Sequence, residues 1–190
     1  MDAEKGSLGR ARTLRLCLIA AGSMINVAGS DIALFMGIPI YLNSIGTVIC
    51  AVRYGPSAGM IAGAAGALIC GVTTDIYSLY YLPVQIIAGG AAGLIFRKYR
   101  PGEGNSIRRI IISAAAIAIP VSLVSAVITA FVFGGVTSSE SSVLVQILHN
   151  AAGMGLVASV FTVQFITDFA NCLISVWAAF EVQRRMPRGL

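Results

Sequence analysis

The stretch "IYLNSIGTVICAVRYGPSAGMIAGAAGALIC", residues 40–70, decides the fold. Two apolar runs flank a turn that holds a single charge, Arg53, and then Gly55 and Pro56. Proline suits the first turn of a helix, where a backbone donor would go unused, so the second run reads as a helix opening at Pro56. A bilayer core takes about 20 helical residues, and each run approaches that length while carrying almost no charge. The first run nevertheless opens with Tyr41, Asn43, Ser44 and Thr47. A polar cluster at the mouth of an oily segment needs a reason, and the rest of the chain supplies a candidate.

The same pattern extends through all 190 residues, of which 57% are hydrophobic and 11% charged. A soluble domain carries roughly 25% charge. The 21 glycines also suit helices that pack closely in lipid. The expectation is one all-α integral membrane domain over residues 1–190. Six transmembrane helices fit, at about 14–28, 40–52, 56–72, 78–96, 110–133 and 160–182. The basic start followed by "LRLCLIAAGS" resembles a signal peptide in part, but it serves the charge pattern better as a retained first span.

A net charge of +5 does not imply nucleic acid here, because the charges are segregated. Lys and Arg occur at 5–15, at Arg53, at 97–109 and at 184–188, and nowhere between those places. With the N-terminus cytoplasmic, six spans put every basic residue inside, along with the C-terminus, as the positive-inside rule requires. The three outer segments then carry Asp31, Asp75 and Glu140 and no Lys or Arg. Five or seven spans would spoil this separation.

Small residues recur at every fourth position: Gly55, Gly59, Gly63, Ala67 and Gly71, and again Ala114, Ala118, Ser122, Ala126, Ala130 and Gly134. Such rows let helix backbones approach closely. They serve either packing inside the chain or docking against a partner subunit.

The sequence offers no chemistry of an enzyme. It has no phosphate-binding G-x-x-x-x-G-K-[ST] loop, no H-E-x-x-H, no G-x-S-x-G and no paired carboxylates at useful spacing. Cys17, Cys50, Cys70 and Cys172 form no C-x-x-C pair, and one histidine, His149, cannot complete a zinc site. No metal and no cofactor is expected.

What remains is a set of polar side chains toward one end of the predicted spans. Gln164, Asp168, Asn171 and Ser175 follow at steps of four, three and four, one stripe of a helix. An ionisable group inside a span costs roughly 2.5–3.5 kcal/mol on insertion scales and turns toward a cavity or a partner. Asp168 is therefore either a hydrogen-bonded structural group or a solute contact. Tyr77, Tyr81 and Gln85 line up at steps of four, either as an interfacial aromatic belt or as a surface for a flat ligand. Gln146, His149 and Asn150 share a helical face that is either solvated or part of a site. Under the six-span topology these groups meet the Tyr41–Thr47 cluster at one outer depth. A neutral, aromatic pocket there suits a small, ring-containing solute. The lack of basic residues on that side argues against strongly anionic ligands.

The segments "IYLNSIGTVICAVRYGPSAGMIAGAAGALI", "YLPVQIIAGGAAGLIFRK" and "FITDFANCLISVWAAFEVQRRMP" resemble the substrate-binding S components of energy-coupling factor (ECF) transporters, over about Leu14 to Pro187. The resemblance implies a six-helix bundle in the bacterial plasma membrane that captures a vitamin, nucleoside or modified base at the outer face. Its partners would be the lipid bilayer, a membrane scaffold (T) subunit and two ABC ATPases. Carried onto this chain, the family's site falls on Asp31, Tyr41, Asn43, Tyr77, Tyr81, Gln85, His149, Asn150, Gln164, Asp168 and Asn171. The family's docking motif on the first helix falls on Cys17 and Ala21, with Ile25 where a third small residue would stand. The alternative is a stand-alone secondary transporter or channel for a small polar solute, which would place ion-coupling groups at the span centres; Asp168 alone approaches that description.

Overall fold

Long apolar stretches without β-branched alternation form helices here, and the described residues contain helices, turns and no strand. The computed structural model describes residues 2–98 and 107–185, with side chains from Gly9 onward. Lys5, Arg100 and Arg188 of the charge argument lie outside the described residues or side chains. Helix α1 spans Asp2–Phe35, α2 Ile45–Tyr54, α3 Pro56–Thr73, the single turn α4 Tyr77–Tyr80 and α5 Leu82–Lys98. Then come α6 Ile107–Val127, prolonged by a π-helical turn at Ile128–Val132, α7 Ser141–Gln146, likewise prolonged at Ile147–Ala151, and α8 Leu156–Arg185.

Four helical stretches, Gly9–Phe35, Pro56–Thr73, Ile107–Val132 and Leu156–Arg185, are long and apolar enough to cross a membrane. Large apolar side chains cover their outer faces and small residues fill much of the contact between them. Phe131, Ile166 and Trp177 point outward, as does Leu94 of α5, whereas Ala58, Ala62, Ala114 and Ala118 are wholly buried, as is Ala92 of α5. That arrangement belongs to a chain solvated by lipid, where interiors gain contact through small residues rather than by expelling large ones from water.

The boundaries differ from the sequence expectation in two places that matter. Helix α1 does not stop near residue 28 but runs to Phe35, so Asp31 sits in a helix and not in a loop. Helix α2 starts at Ile45 rather than 40, leaving Tyr41, Leu42, Asn43 and Ser44 in irregular backbone.

Tight crossings set the register. A Cβ on Gly46 would overlap the Gly22 carbonyl, so α1 and α2 cross backbone to backbone there. Running antiparallel, Leu18 meets Cys50 through a 3.4 Å sulfur contact and Gly29 meets Leu42. Helices α3 and α5 also run antiparallel, Pro56 against Gly93, Gly59 against Gly89 and Gly63 against Gln85. The row of small residues on α3 is thus consumed by packing inside the chain. The row on α6 is buried as well from Ala114 to Ala130. Gly55, at φ +86°, supplies the left-handed conformation that lets α2 turn straight into α3.

Helix α2 begins with an unusual cap. Its N-cap, Ser44, makes no side-chain cap bond. Instead Asn26 of α1 reaches across: its Oδ1 accepts the Gly46 N–H at 2.8 Å and the Thr47 N–H at 3.3 Å. Its Nδ2 donates to Thr47 Oγ1 at 2.8 Å. Orphan donors at a helix start need such acceptors, most of all when no water can reach them.

The main apolar cluster joins α2, α5, α6 and α8 through Val48, Ala88, Ile117 and Val176, and closes on an edge-to-face pair, Phe96 and Phe180, with centroids 5.6 Å apart. The antiparallel order gathers the described Lys and Arg residues at one end, at the starts of α1 and α6 and the ends of α2, α5 and α8.

Candidate functional site

At the opposite end from the arginines, polar side chains converge because several elements begin or end there and α8 runs past them. The irregular Tyr41–Ser44 segment leads into α2, α4 and the first turn of α5 come from below Asp75, α6 widens into its π turn, and α8 descends past it. Between them lies a cavity of about 40 Å³.

Its walls divide into two hydrogen-bonded groups. In the first, Asn171 Nδ2 donates to Asn43 Oδ1 at 3.3 Å and to Ser44 Oγ at 3.1 Å. The Ser44 hydroxyl lies 3.2 Å from Asn43 Oδ1 and 3.4 Å from Gln85 Oε1. Ser175, one turn deeper on α8, donates to Asn171 Oδ1 at 3.5 Å. Residues 127 positions apart are thereby locked to each other. In the second group, Thr129 Oγ1 accepts Gln164 Nε2 at 2.7 Å and shares a proton contact with the Tyr81 hydroxyl. The π turn carries Thr129, and such turns often accompany functional sites because the extra residue re-aims side chains.

Two sets of contacts tie the lining residues Tyr41 and Tyr81 to the segment after α6. The Tyr41 hydroxyl lies 3.1 Å from Ser138 Oγ. Phe133 is surrounded by Tyr77, Tyr80 and Tyr81, at centroid distances of 4.9, 5.0 and 6.3 Å.

Asp168 stands in the wall beside Ser122 and Ser125 of α6. Its Oδ2 is buried and has no hydrogen-bond partner among the described residues. Asp75, buried in the same wall, is by contrast satisfied: it accepts the Tyr77 N–H at 3.3 Å and the Ser78 hydroxyl at 3.1 Å.

Of the residues expected from the sequence, Tyr41, Asn43, Tyr81, Gln85, Gln164, Asp168 and Asn171 line this one cavity. Four do not. Asp31 lies on α1 near Cys70 of α3, its Oδ1 buried without a partner. Tyr77 packs on Phe133 outside the cavity lining. His149 Nδ1 pairs with the Met154 carbonyl at 2.7 Å, and exposed Asn150 bonds Gln146 of its own turn at 3.0 Å. Cys17 and Ala21 are exposed on α1. Asp75, Ser78 and Ser125 line the cavity without having been singled out from the sequence. Asp75, the acidic residue before "IYS", carried the only signal, as a cap three residues ahead of Ser78. Among the described residues no group of His, Cys, Asp and Glu is placed to hold a metal ion. No protein-family model, no curated protein and no solved structure matches the chain.

Proposed function

We propose that the chain is the solute-binding subunit of an ECF-type importer, an S component in the plasma membrane of a bacterium. It captures a small ring-containing micronutrient, of vitamin, nucleoside or modified-base type, at the outer face. A membrane scaffold subunit and two ABC ATPases then drive delivery inward, which accords with a sequence that has no phosphate-binding loop of its own. One observation carries the reading: Asn43, Gln85, Asp168 and Asn171, from distant parts of the chain, line a single cavity at the end away from the basic residues.

The orientation rests on a six-span reading, in which four helices are long and apolar enough by themselves and α2 and α5 supply the other two. Helix α5 has 17 residues, about 25 Å of helix, and the α4 turn extends it. Helix α2 has only 10 residues, about 15 Å. The irregular segment before it completes the crossing, and non-helical backbone at that depth is tolerated where protein encloses it. With both ends cytoplasmic, the cavity faces outward.

At about 40 Å³ the cavity holds roughly three waters. A ring gains room only when the lining side chains move apart, the Tyr41–Ser138 contact among those that would open, so capture and enclosure are one event. Tyrosine faces and side-chain amides then supply stacking and hydrogen bonds.

The test is native mass spectrometry of the purified chain, followed by reconstitution. The expected result is a retained ring-containing solute and no net accumulation in liposomes without ATPases. Gradient-driven accumulation by the chain alone would overturn the reading in favour of a stand-alone secondary transporter.

A further inference from the structure

We infer that the cavity selects a cationic solute: a small ring bearing a protonated amine or a positively charged ring nitrogen, seated against Asp168. This rests on the reading above that the cavity is the solute site, and it adds the charge of the solute.

The walls contain two carboxyl groups, Asp75 and Asp168, and no Lys, Arg or His. The two differ in what they lack. Asp75 is engaged by the Tyr77 N–H and the Ser78 hydroxyl and caps its own turn. Asp168 has only the neutral hydroxyls of Ser122 and Ser125 beside it, and among the described residues its buried Oδ2 and the Ser122 hydroxyl are both without a placed partner. The ion pairs of α8 lie at its other end, where Glu181 meets Arg184 and Arg185. Among the described residues no basic side chain lines the cavity to neutralise Asp168. A carboxyl group in this position either holds a proton or is completed by a positive charge that arrives with the solute. Tyr41 and Tyr81 line the same space, and the faces of tyrosine rings attract cations. The enclosed volume admits an ammonium-sized head beside Asp168, and the body of the ring takes the room that opens when the lining side chains move apart. A bare divalent metal lacks the ligand set it needs among the described residues.

The experiment uses the purified full chain in lipid nanodiscs and three ring-matched probe series: aminomethyl, hydroxymethyl and carboxylate derivatives of pyridine and pyrimidine. Affinity is read by titration and by the shift in unfolding temperature. The aminomethyl probes, cationic at neutral pH, bind at least roughly tenfold tighter than the hydroxymethyl probes, and the carboxylates bind weakest. Asp168→Asn, close in shape, erodes that preference by roughly ten- to a hundredfold, whereas Asn171→Ala weakens the cationic and neutral probes alike. Equal binding of aminomethyl and hydroxymethyl probes, with Asn171→Ala still weakening both, overturns the charge inference and leaves the solute site standing. A stabilising effect of sodium or potassium alone that vanishes in Asp168→Asn, without any preference for amines, also overturns it. Indifference of every probe to both substitutions removes the solute site together with the inference. Should Asp168→Asn fail to fold, the ranking of the three series on the unmodified chain decides the question.

Discussion

Replacing Asn26 by alanine tests the physical logic of the fold at its most exacting point. Asn26 is 2% exposed and supplies three hydrogen bonds to the start of α2, to Gly46 N, Thr47 N and Thr47 Oγ1. Alanine leaves two buried amide donors and a hydroxyl without partners, and Ser44 is not arranged to replace it. Loss of a cap costs about 0.5–2 kcal/mol, and each buried group left unsatisfied costs about 1–3 kcal/mol. Discounting the longer 3.3 Å bond, the expected loss is about 2–4 kcal/mol. Asn26→Asp keeps an acceptor for both amides but brings an ionisable group into a buried stretch of a span, a cost of roughly 2.5–3.5 kcal/mol that outweighs the helix-dipole gain, so it should not rescue the loss. Met24→Ala, at an outward-facing position of the same helix, serves as the reference. Reversible unfolding in mixed detergent micelles, followed by circular dichroism, ranks the three. If Asn26→Ala unfolds within about 0.5 kcal/mol of Met24→Ala, the cross-helix cap is not what holds α2 in place.

Gly46→Ala should destabilise the α1–α2 crossing by about 1–3 kcal/mol, because a methyl group there overlaps the Gly22 backbone, which has no rotamer to yield; thermal unfolding measures it, and an unchanged midpoint contradicts the close crossing. Thr129→Val keeps the shape of the π turn but strips the shared acceptor from Tyr81 and Gln164. Thermal unfolding should show a loss of about 1–3 kcal/mol, and none if water replaces the hydroxyl. In a Cys17→Ser background, Ser138→Cys should react with a membrane-impermeant maleimide on intact cells, whereas a cysteine at Arg97 should react only after lysis. The reverse pattern would invert the topology.

Much of this architecture is written locally, and that part was legible. Charge segregation and long apolar runs survive in any window of sequence, so the helical membrane character and the basic end were visible. The Gly59–Gly63–Ala67 row and the Gln164–Asp168–Asn171 stripe follow helix periodicity and needed no tertiary information. The differences between sequence reading and structure arise where distant residues decide. Nothing near Ile45 reveals that α2 starts there, because its cap is Asn26, twenty residues earlier and on another helix. Asp31 seemed to lie in a loop because a charge suggests an end, yet α1 continues to Phe35. His149 and Asn150 form a genuine helical face, but periodicity gives a face without saying what it looks at, and theirs turns to its own segment. Ser125 joined the cavity unnoticed because serine is common on packed membrane helices and carries no signal by itself.

The account's central claim is that side chains from separate elements close around one solute. The measurement that tests it most directly is the affinity of whatever solute native mass spectrometry finds on the purified chain, compared across four variants. Asn43→Ala and Asn171→Ala, which strip the cavity wall, should each weaken binding by roughly tenfold or more. His149→Ala and Asn150→Ala, at the same end of the molecule but outside that wall, should stay within roughly twofold of the unaltered protein. Loss of affinity confined to the His149 and Asn150 variants, or the same affinity in all four, would contradict it.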